Sequence, residues 1–313
     1  MKIAESPTAS IARRQIDQRV PLETLAYAGL MLTSCVWASA FIAGKVALAE
    51  LNPLNAAAAR YVIAAGVLLP FAVRGRPTAA NLRRVATPLI VMIVCGGILY
   101  PWLFLLALGR TSATNTSLLI ALNPALTMLL SPFAGDAIER RRLGGLLLAL
   151  AGAVVVITQG KWEHVRELAS LSLRGGDLLA VAAAFCWACF NVGARRVVVH
   201  LTPSFINAVT YGTGGMLLSM AAWTSGGWQQ LAAASPTAWA SVLVMAVGSS
   251  VLAGQLFLFG VRTVGVNRSV VFVYLTPVFT ALCSLALLGE PLLVVQGIGG
   301  AAVLAGVYSA TRR

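Results

Sequence analysis

The sequence around Trp37 returns about 150 residues later, and this internal repeat restricts the fold more than any other feature. Residues 37–53 align with residues 187–203, with Trp, Ala, Leu and Pro identical. Two later blocks repeat in the same order: residues 120–129 align with 273–282, and 135–152 with 289–306. Self-similarity at a fixed spacing is typical of a chain made of copies of one unit. The sequence therefore predicts two units of roughly 150 residues each.

The composition argues against a fold in water. Hydrophobic residues make up 58% of the 313 residues and charged residues 11%, whereas a soluble domain carries about 25% charged residues. The formal net charge of +13 raises the alternative of nucleic-acid binding. However, the basic residues lie in short clusters between apolar runs, as they do at the ends of membrane helices. We therefore predict an integral membrane protein that does not bind nucleic acid.

Ten apolar runs are long enough, or nearly long enough, to cross a bilayer. A helix needs about 20 apolar residues to span the hydrocarbon core, so the sequence predicts an all-α protein with ten transmembrane helices. The predicted spans cover residues 25–49, 54–73, 85–109, 113–134, 143–158, 177–198, 203–224, 238–261, 269–288 and 291–311.

Lys and Arg are distributed unequally between the two sides that these spans define. Seventeen lie on the side of both termini and four on the opposite side, and the positive-inside rule places the richer side in the cytoplasm. The predicted domains are a disordered cytoplasmic tail (1–24), a first five-helix repeat (25–158), an external connecting loop (159–176) and a second five-helix repeat (177–311).

Five spans per unit is an odd number, so the second unit would enter the membrane upside down relative to the first. The two halves would then be related by a pseudo-two-fold axis in the membrane plane. Inverted repeats of this kind are typical of secondary transporters, which bind their substrates near the midplane between the repeats.

The ordered motifs of both halves resemble the EamA-type branch of the drug/metabolite transporter superfamily. They are Trp37-x-Ser39-x-Phe41 and Lys45 in the first span, Pro53 and Arg60 at the start of the second, Leu122-x-Pro124 in the fourth, and Gly-Asp or Gly-Glu before the fifth and tenth. The resemblance implies ten helices around a central cavity, in a carrier of the bacterial inner membrane that exports amino acids or other small metabolites. The sequence departs from the family pattern at Asp136, where Glu is usual, and at Thr210, where the second half has no counterpart of Arg60.

Two prolines fall inside predicted spans at equivalent places in the two halves. Pro124 and Pro277 each remove one backbone hydrogen bond and clash with the carbonyl four residues earlier, that of Ile120 or Val273. Interrupted helices in corresponding positions point to a transporter's binding site, because broken backbone at membrane depth is tolerated only against protein or a water-filled cavity. The alternative is that both prolines only kink helices for packing.

Trp37 and Trp187 are predicted near the middle of their spans, whereas membrane Trp is usually enriched at the interface. Facing a cavity, they could stack on a planar substrate, and the alternative is packing in the core. Polar and aromatic residues at similar depth complete the candidates. The predicted substrate-binding set is Trp37, Ser39, Tyr100, Asn123, Pro124, Trp187, Asn191, Gln255, Tyr274 and Pro277, with Trp102, Asn115 and Thr276 as further companions.

Lys45 and Arg60 are the most deeply placed charged residues of the predicted spans. A charge within the membrane is by default a functional hypothesis. Both could instead reach the interface with their long side chains, since each lies one to two turns from a span end. The two alternatives are snorkelling or helix pairing on the one hand, and a vestibule that attracts anions on the other, for which Arg60 is the stronger candidate.

Enzyme chemistry has no support in the sequence, which has no Walker A, His-Glu-x-x-His or Gly-x-Ser-x-Gly motif. No cofactor and no metal site are predicted. The predicted partners are a small-molecule substrate and the lipid bilayer. Small residues spaced for close helix contact are also compatible with a homodimer. The leading hypothesis is a secondary exporter, and the alternatives are a lipid or lipid-linked sugar flippase and an uptake carrier for another small metabolite.

Overall fold

A computed structural model of the chain describes residues 7–134, 143–158, 175–224 and 227–311. Within these residues the protein is helical and contains no strand. A short helix, Gly227–Ala233, accompanies ten longer helical segments. These are α1 (Pro7–Ala47), α2 (Pro53–Arg74), α3 (Ala79–Leu108), α4 (113–134), α5 (Leu143–Thr158), α6 (Gly175–Val197), α7 (Pro203–Thr224), α8 (Pro236–Val264), α9 (266–288) and α10 (Val294–Thr311).

Each predicted span lies on one of these segments, with ends that differ by a few residues except at α1. Five segments are long and apolar enough to cross a membrane, namely α2, α3, α6, α8 and the part of α1 from Leu22 to Ala47. Shorter apolar helices lie in α5, α9 and α10. Large apolar side chains such as Leu69, Ile90 and Met220 are exposed on the outside of the protein, as contact with lipid requires. The chain is therefore a multi-pass membrane protein.

Two of the predicted segments, the N-terminal tail and the external connecting loop, compare differently with the structure. The predicted disordered tail differs from the structure from Pro7 onward, because α1 begins there and continues without interruption into the apolar span. Ala, Arg and Gln are frequent in residues 9–20 and favour helix. Asp136 and residues 159–174 of the predicted external loop lie outside the described residues.

Polar caps fix where the helices begin. The side chains of Asn52, Thr78, Ser112 and Ser235 each accept a hydrogen bond from the backbone N–H three residues later, at the start of α2, α3, α4 and α8. A capping residue satisfies one of the backbone donors that the first turn leaves without an intrahelical partner. These caps allow the connections to be short and to lie at the ends of the bundle.

The pairing of helices is the same in both halves. Helix α2 packs along its equivalent in the repeat, α7, and α5 packs along α10. Helix α1 packs against α8 and α9, and its equivalent α6 packs against α3 and α4. Helices α3 and α7 approach closely at Gly97 and Gly214, where a side chain at Gly214 would collide with the Gly97 carbonyl. The two halves therefore interlock across a shared central region.

Four helices change geometry along their length, and all four face this central region. Helix α3 is π-helical at Ile93–Leu99 and α8 at Val244–Leu252. Helix α4 is broken by a turn at 121–122, just before Pro124, and α9 is 3₁₀-helical at Val270–Tyr274, just before Pro277. The missing N–H groups of Pro101, Pro124 and Pro277 explain three of the changes. The π segment of α8 contains no proline, and its contacts are described below.

Candidate functional site

A narrow cavity lies at the centre of the described residues, between the two halves of the chain. The space available to the centres of water molecules is about 40 Å³, which is room for about three ordered waters. The first half contributes Trp37, Ala40, Phe41, Arg60, Tyr61, Tyr100, Phe104, Ser117, Ile120, Ala121 and Asn123, and the second half contributes Trp187, Tyr211, Ser249, Val273 and Thr276.

Aromatic rings form one wall of the cavity. The ring centroids of Trp37 and Trp187 lie 5.6 Å apart at an interplanar angle of 88°. Tyr100 lies 4.7 Å from Trp187 and 5.9 Å from Phe104. Edge-to-face and offset pairs at these separations are favourable, so the rings support one another. Trp37 and Trp187, which the sequence predicted near mid-membrane, thus meet across the repeat.

Arg60 places a charged group inside this cavity. Its side chain is 5% exposed, with Nε donating to Ser250 Oγ at 2.8 Å and Nη2 donating to Ser249 Oγ at 3.2 Å. The guanidinium carbon lies 5.5 Å from the ring centroid of Tyr61 and 5.9 Å from that of Phe104. Arg60 therefore does not snorkel to the interface: its side chain runs inward and ends on α8, a contact that fits the helix-pairing alternative, and the anion-attracting vestibule stays a prediction.

The π segment of α8 receives contacts from three helices of the bundle. Trp37 Nε1 donates to the Ser249 carbonyl at 3.2 Å, and the Tyr211 hydroxyl donates to the Ser250 carbonyl at 3.2 Å. Ser250 Oγ donates back to the Met245 carbonyl at 3.2 Å. A π segment leaves backbone groups out of the usual i−4 pattern and is frequent at functional sites. Side chains of α1 and α7 thus bond to backbone carbonyls of this segment, and Arg60 of α2 bonds to its serine hydroxyls.

The break in α4 is stabilised by its own asparagine. Asn123 Nδ2 donates to the Ile120 carbonyl at 3.2 Å, which is the carbonyl that Pro124 deprives of its partner. Asn191 Nδ2 of α6 donates to Asn123 Oδ1 at 3.1 Å and to Thr127 Oγ1 at 3.2 Å. Asn123 lines the cavity, so the broken helix presents an amide to it while keeping its backbone paired.

Thr276 of α9 is the equivalent of Asn123 in the second half. It is 4% exposed and lines the cavity. Within the described part of the chain, its hydroxyl has no hydrogen-bond partner. The two broken helices therefore differ, since the first satisfies its polar side chain internally and the second leaves a hydroxyl available at the cavity.

The remaining predicted residues lie around the cavity without lining it. Ser39 Oγ donates to the Val36 carbonyl at 2.7 Å, and Gln255 Nε2 donates to Ser204 Oγ at 2.7 Å. Tyr274 and Pro277 are buried in α9. Pro124 and Asn191 are buried beside Asn123 in the contact between α4 and α6. Of the further companions, Thr276 lines the cavity, Trp102 is exposed, and Asn115 accepts a hydrogen bond from Gln296 at 2.7 Å.

Lys45 lies at one end of the bundle, beside Glu290, rather than at the cavity. Its Nζ is 4.0 Å from Glu290 Oε1. Both oxygens of Glu290 also accept from the backbone N–H of Ala113, at 3.2 and 3.1 Å. Glu290 thus caps the start of α4 and joins it to the connection between α9 and α10.

Glu50 makes a second link at the same end. Its carboxylate accepts from the N–H of Ser235 at 2.7 Å and from the Ser235 hydroxyl at 2.5 Å. These hydrogen bonds, with the hydroxyl contribution the larger, hold the pKa of Glu50 below its usual value. The carboxylate is therefore charged at neutral pH and holds the α1–α2 connection against the start of α8.

Several cavity residues escaped the sequence analysis, among them Tyr61, Phe104, Tyr211 and Ser249. One signal for two of them was present: Tyr61 and Tyr211 are 150 residues apart and therefore equivalent in the repeat. No such signal marks Ser249, whose position depends on the π geometry of α8. In the described residues, no group of three or more His, Cys, Asp or Glu side chains is arranged to hold a metal ion.

Comparison with known proteins agrees with this architecture. The model of the EamA-like transporter family matches residues 24–158 and again residues 174–312. An uncharacterized transporter of Bacillus subtilis, YyaM, is 30% identical over 287 residues, covering 91% of this chain and 93% of the relative. A probable terminal-alkyne amino-acid exporter of Streptantibioticus cattleyicolor is 28% identical over 297 residues, covering 91% and 92%. A solved crystal structure at 19% identity shares the fold, with a TM-score of 0.59 over 93% of this chain and 96% of that chain.

Proposed function

The chain belongs to the EamA-like transporter family, and from this membership we propose that it is a secondary transporter that exports an amino acid or a related small polar metabolite across the inner membrane by alternating access. The observation that carries the proposal is the position of the cavity. It lies between the two regions that the family model matches, and both regions contribute residues to its lining.

Movement of one half against the other is the proposed transport step. The cavity in the present conformation has room for only about three waters, with about 40 Å³ available, whereas a site for a drug-sized ligand spans roughly 300–1,000 Å³. A solute therefore needs the halves to separate, first on one side and then on the other. Rocking about a fixed central site is the usual way in which repeat transporters achieve this.

The proposed orientation follows from charge. Ten crossings would place Arg74, Arg83 and Arg84 on the same side as the ends of α6, α8 and α10, in keeping with the positive-inside rule. Both termini would then be cytoplasmic and the second repeat inverted relative to the first. In this orientation the contacts of Glu50 and Glu290 lie at the outer end.

The lining favours a polar solute. Arg60, Ser249, Thr276 and Asn123 bring a charge, hydroxyls and an amide to a cavity whose other wall is aromatic. An amino acid fits this mixture, since it has polar groups at one end and a side chain at the other. The name of the Streptantibioticus cattleyicolor relative points to amino acids as well.

Solute counterflow in proteoliposomes tests the proposal. The full chain is reconstituted, loaded with one unlabelled compound at a time, and tested for uptake of the same labelled compound from a panel of amino acids, amines, sugars and nucleosides. We expect saturable exchange of amino acids. Trp37→Ala should reduce it at least about tenfold, because the ring lines the cavity and holds the Ser249 carbonyl.

Trp223→Ala is the matched control, since Trp223 is 70% exposed on the outer surface of α7. It should leave exchange within about twofold of the parent. If the properly folded parent exchanges no compound, the transport proposal is overturned. If both Trp variants lose the same share of exchange, the cavity is not the site through which the solute is transported.

A further inference from the structure

We propose that Arg60 binds the carboxylate of the transported solute, so that the cavity selects small carboxylates whether or not they carry an amino group. This inference rests on the proposed transport function and extends it to the chemistry of the substrate.

Among the described residues, the charge of Arg60 has no counter-ion in the cavity. None of the lining residues is acidic, and among the described residues no carboxylate lies within ion-pair distance of the guanidinium. Glu50 and Glu290 are engaged at the outer end. A buried charge is costly unless it is paired, and within a membrane it usually marks a substrate or ion pathway. An anionic group of the solute would supply the missing partner.

The guanidinium also keeps hydrogen-bonding capacity for a ligand. Arginine has five N–H donors in a planar fork. Two of them are used, by Ser250 and Ser249, and the described residues contain no further hydrogen bond of this group, which leaves three. A planar fork with free donors matches the two oxygens of a carboxylate. Among small anionic groups, only phosphate fits the fork as well.

The surroundings hold the fork in place before a ligand arrives. The Ser250 hydroxyl commits its hydrogen to the Met245 carbonyl, so its oxygen is free to accept from Arg60 Nε. The rings of Tyr61 and Phe104 flank the guanidinium at 5.5 and 5.9 Å. These contacts are to neutral groups, so they orient the charge without neutralising it. A preorganised group of this kind binds at a lower entropic cost.

Recognition of an ammonium group has no comparable support. Neutralising an ammonium takes a carboxylate, and the described lining offers none; its hydroxyls, amide and aromatic faces can contact a cation without neutralising it. The Thr276 hydroxyl, which has no hydrogen-bond partner among the described residues, is a further donor or acceptor for the solute. The cavity therefore carries one positive charge and no negative one, which opposes cationic amines and makes the amino group of an amino acid dispensable.

A purely structural role for Arg60 makes a different prediction. If Arg60 only joins α2 to the serines of α8, its replacement would lower stability but would leave the preference between carboxylates and amines unchanged. The two roles are separated by comparing ligands that share a carbon skeleton and differ only in the charged group.

The test is a titration of Trp fluorescence in the detergent-purified full chain, because Trp37 and Trp187 line the cavity. The first ligand set is L-leucine, 4-methylpentanoate and 3-methylbutylamine. The second is L-phenylalanine, 3-phenylpropanoate and 2-phenylethylamine. We expect the amino acid and the corresponding carboxylate to bind within about tenfold of each other, and the amine at least about tenfold more weakly.

Arg60→Gln should weaken binding of both carboxylates at least about tenfold. Arg60→Lys keeps the charge without the fork, so its affinity for carboxylates should lie between those of the parent and of Arg60→Gln. If Arg60→Gln does not fold, Arg60→Lys takes its place in the test. Arg262→Gln is the control, because Arg262 is exposed near the end of α8; its affinities should equal those of the parent.

Equal binding of amine and carboxylate, unchanged affinity in Arg60→Gln, or no binding of any carboxylate to the folded parent would each overturn the inference. Its failure is distinguishable from that of the transport proposal. If amines or sugars exchange in counterflow while carboxylates do not bind, the transport proposal is supported and the proposed carboxylate site is overturned. If carboxylates bind but no compound exchanges, the carboxylate site is supported and the transport proposal is overturned.

Discussion

Tyr61 and Tyr211 occupy equivalent positions in α2 and α7 and make equivalent hydrogen bonds. The Tyr61 hydroxyl donates to the Gly96 carbonyl of α3 at 3.0 Å, and the Tyr211 hydroxyl donates to the Ser250 carbonyl of α8 at 3.2 Å. Each acceptor lies in a π segment. Their ring centroids are 4.6 Å apart. The pair thus stabilises the irregular backbone of both halves from one place.

Tyr61→Phe should lower the free energy of unfolding by about 1 kcal/mol, because it removes one buried hydrogen bond and leaves the Gly96 carbonyl without that donor. The measurement is reversible unfolding of the detergent-solubilised protein. Tyr27→Phe is the matched control, since the hydroxyl of Tyr27 receives only a 3.5 Å contact from Arg268 at an exposed site. Equal stability of the two variants would contradict a structural role for the Tyr61 hydroxyl.

At the scale of single residues, the sequence predicts which side chains are suited to a binding site better than it predicts the direction in which they point. Trp37, Trp187, Tyr100 and Asn123 were predicted to bind substrate; the structure places them in the lining of the cavity, and their role in binding stays a prediction. Ser39 and Gln255 bond to neighbours instead. In a soluble helix the polar face marks the outside, but a membrane helix is apolar on both its lipid and its protein face. Side-chain direction therefore cannot be obtained from periodicity alone.

Among the elements, α4 shows how a broken helix can be stable at membrane depth. Pro124 removes the usual donor to the Ile120 carbonyl, and Asn123 Nδ2 replaces it. The same amide accepts from Asn191 of α6 through its oxygen. Asn123 therefore has two roles, satisfying the break and anchoring it to the neighbouring helix.

Asn123→Ala should destabilise the protein by about 1–2 kcal/mol, since it leaves the Ile120 carbonyl and the Asn191 amide without this partner. Asn123→Ala combined with Pro124→Ala should recover part of the loss, because an alanine at 124 can donate its N–H to the Ile120 carbonyl. The free energies of unfolding of parent, both single variants and the double variant form a cycle. Strict additivity in this cycle would show that Asn123 does not compensate for Pro124.

Helix positions followed from the sequence because bilayer thickness sets the length of each apolar run. The proline positions likewise predicted irregular backbone in α4 and α9. The π segment of α8 had no such signal: it lacks proline, and its geometry depends on contacts from Trp37, Arg60 and Tyr211, which belong to other helices. Features that require tertiary contacts are the ones that a single sequence does not reveal.

On the scale of the whole molecule, polar contacts join the two halves at one end. Glu50 binds Ser235, and Gln230 Oε1 accepts from the Asn52 N–H at 2.9 Å and from Asn55 Nδ2 at 2.8 Å. Glu290 caps α4 beside Lys45. All of these contacts pair a residue of the first half with one of the second. The present conformation is therefore closed at the end that the proposed orientation places outside.

Alternating access requires these contacts to break during each cycle, so a covalent link across them should stop transport. We expect the double variant Glu50→Cys and Ser235→Cys, treated with a short reducible thiosulfonate cross-linker, to lose at least about 90% of its counterflow and to regain it with a reductant. The cross-link would replace a hydrogen bond that can open with a bond that cannot. Each single variant is the control, because the five native cysteines are free and could also react. Parent-level exchange by the fully cross-linked protein would mean that the halves do not separate at this end, and the transport cycle would then need an opening elsewhere.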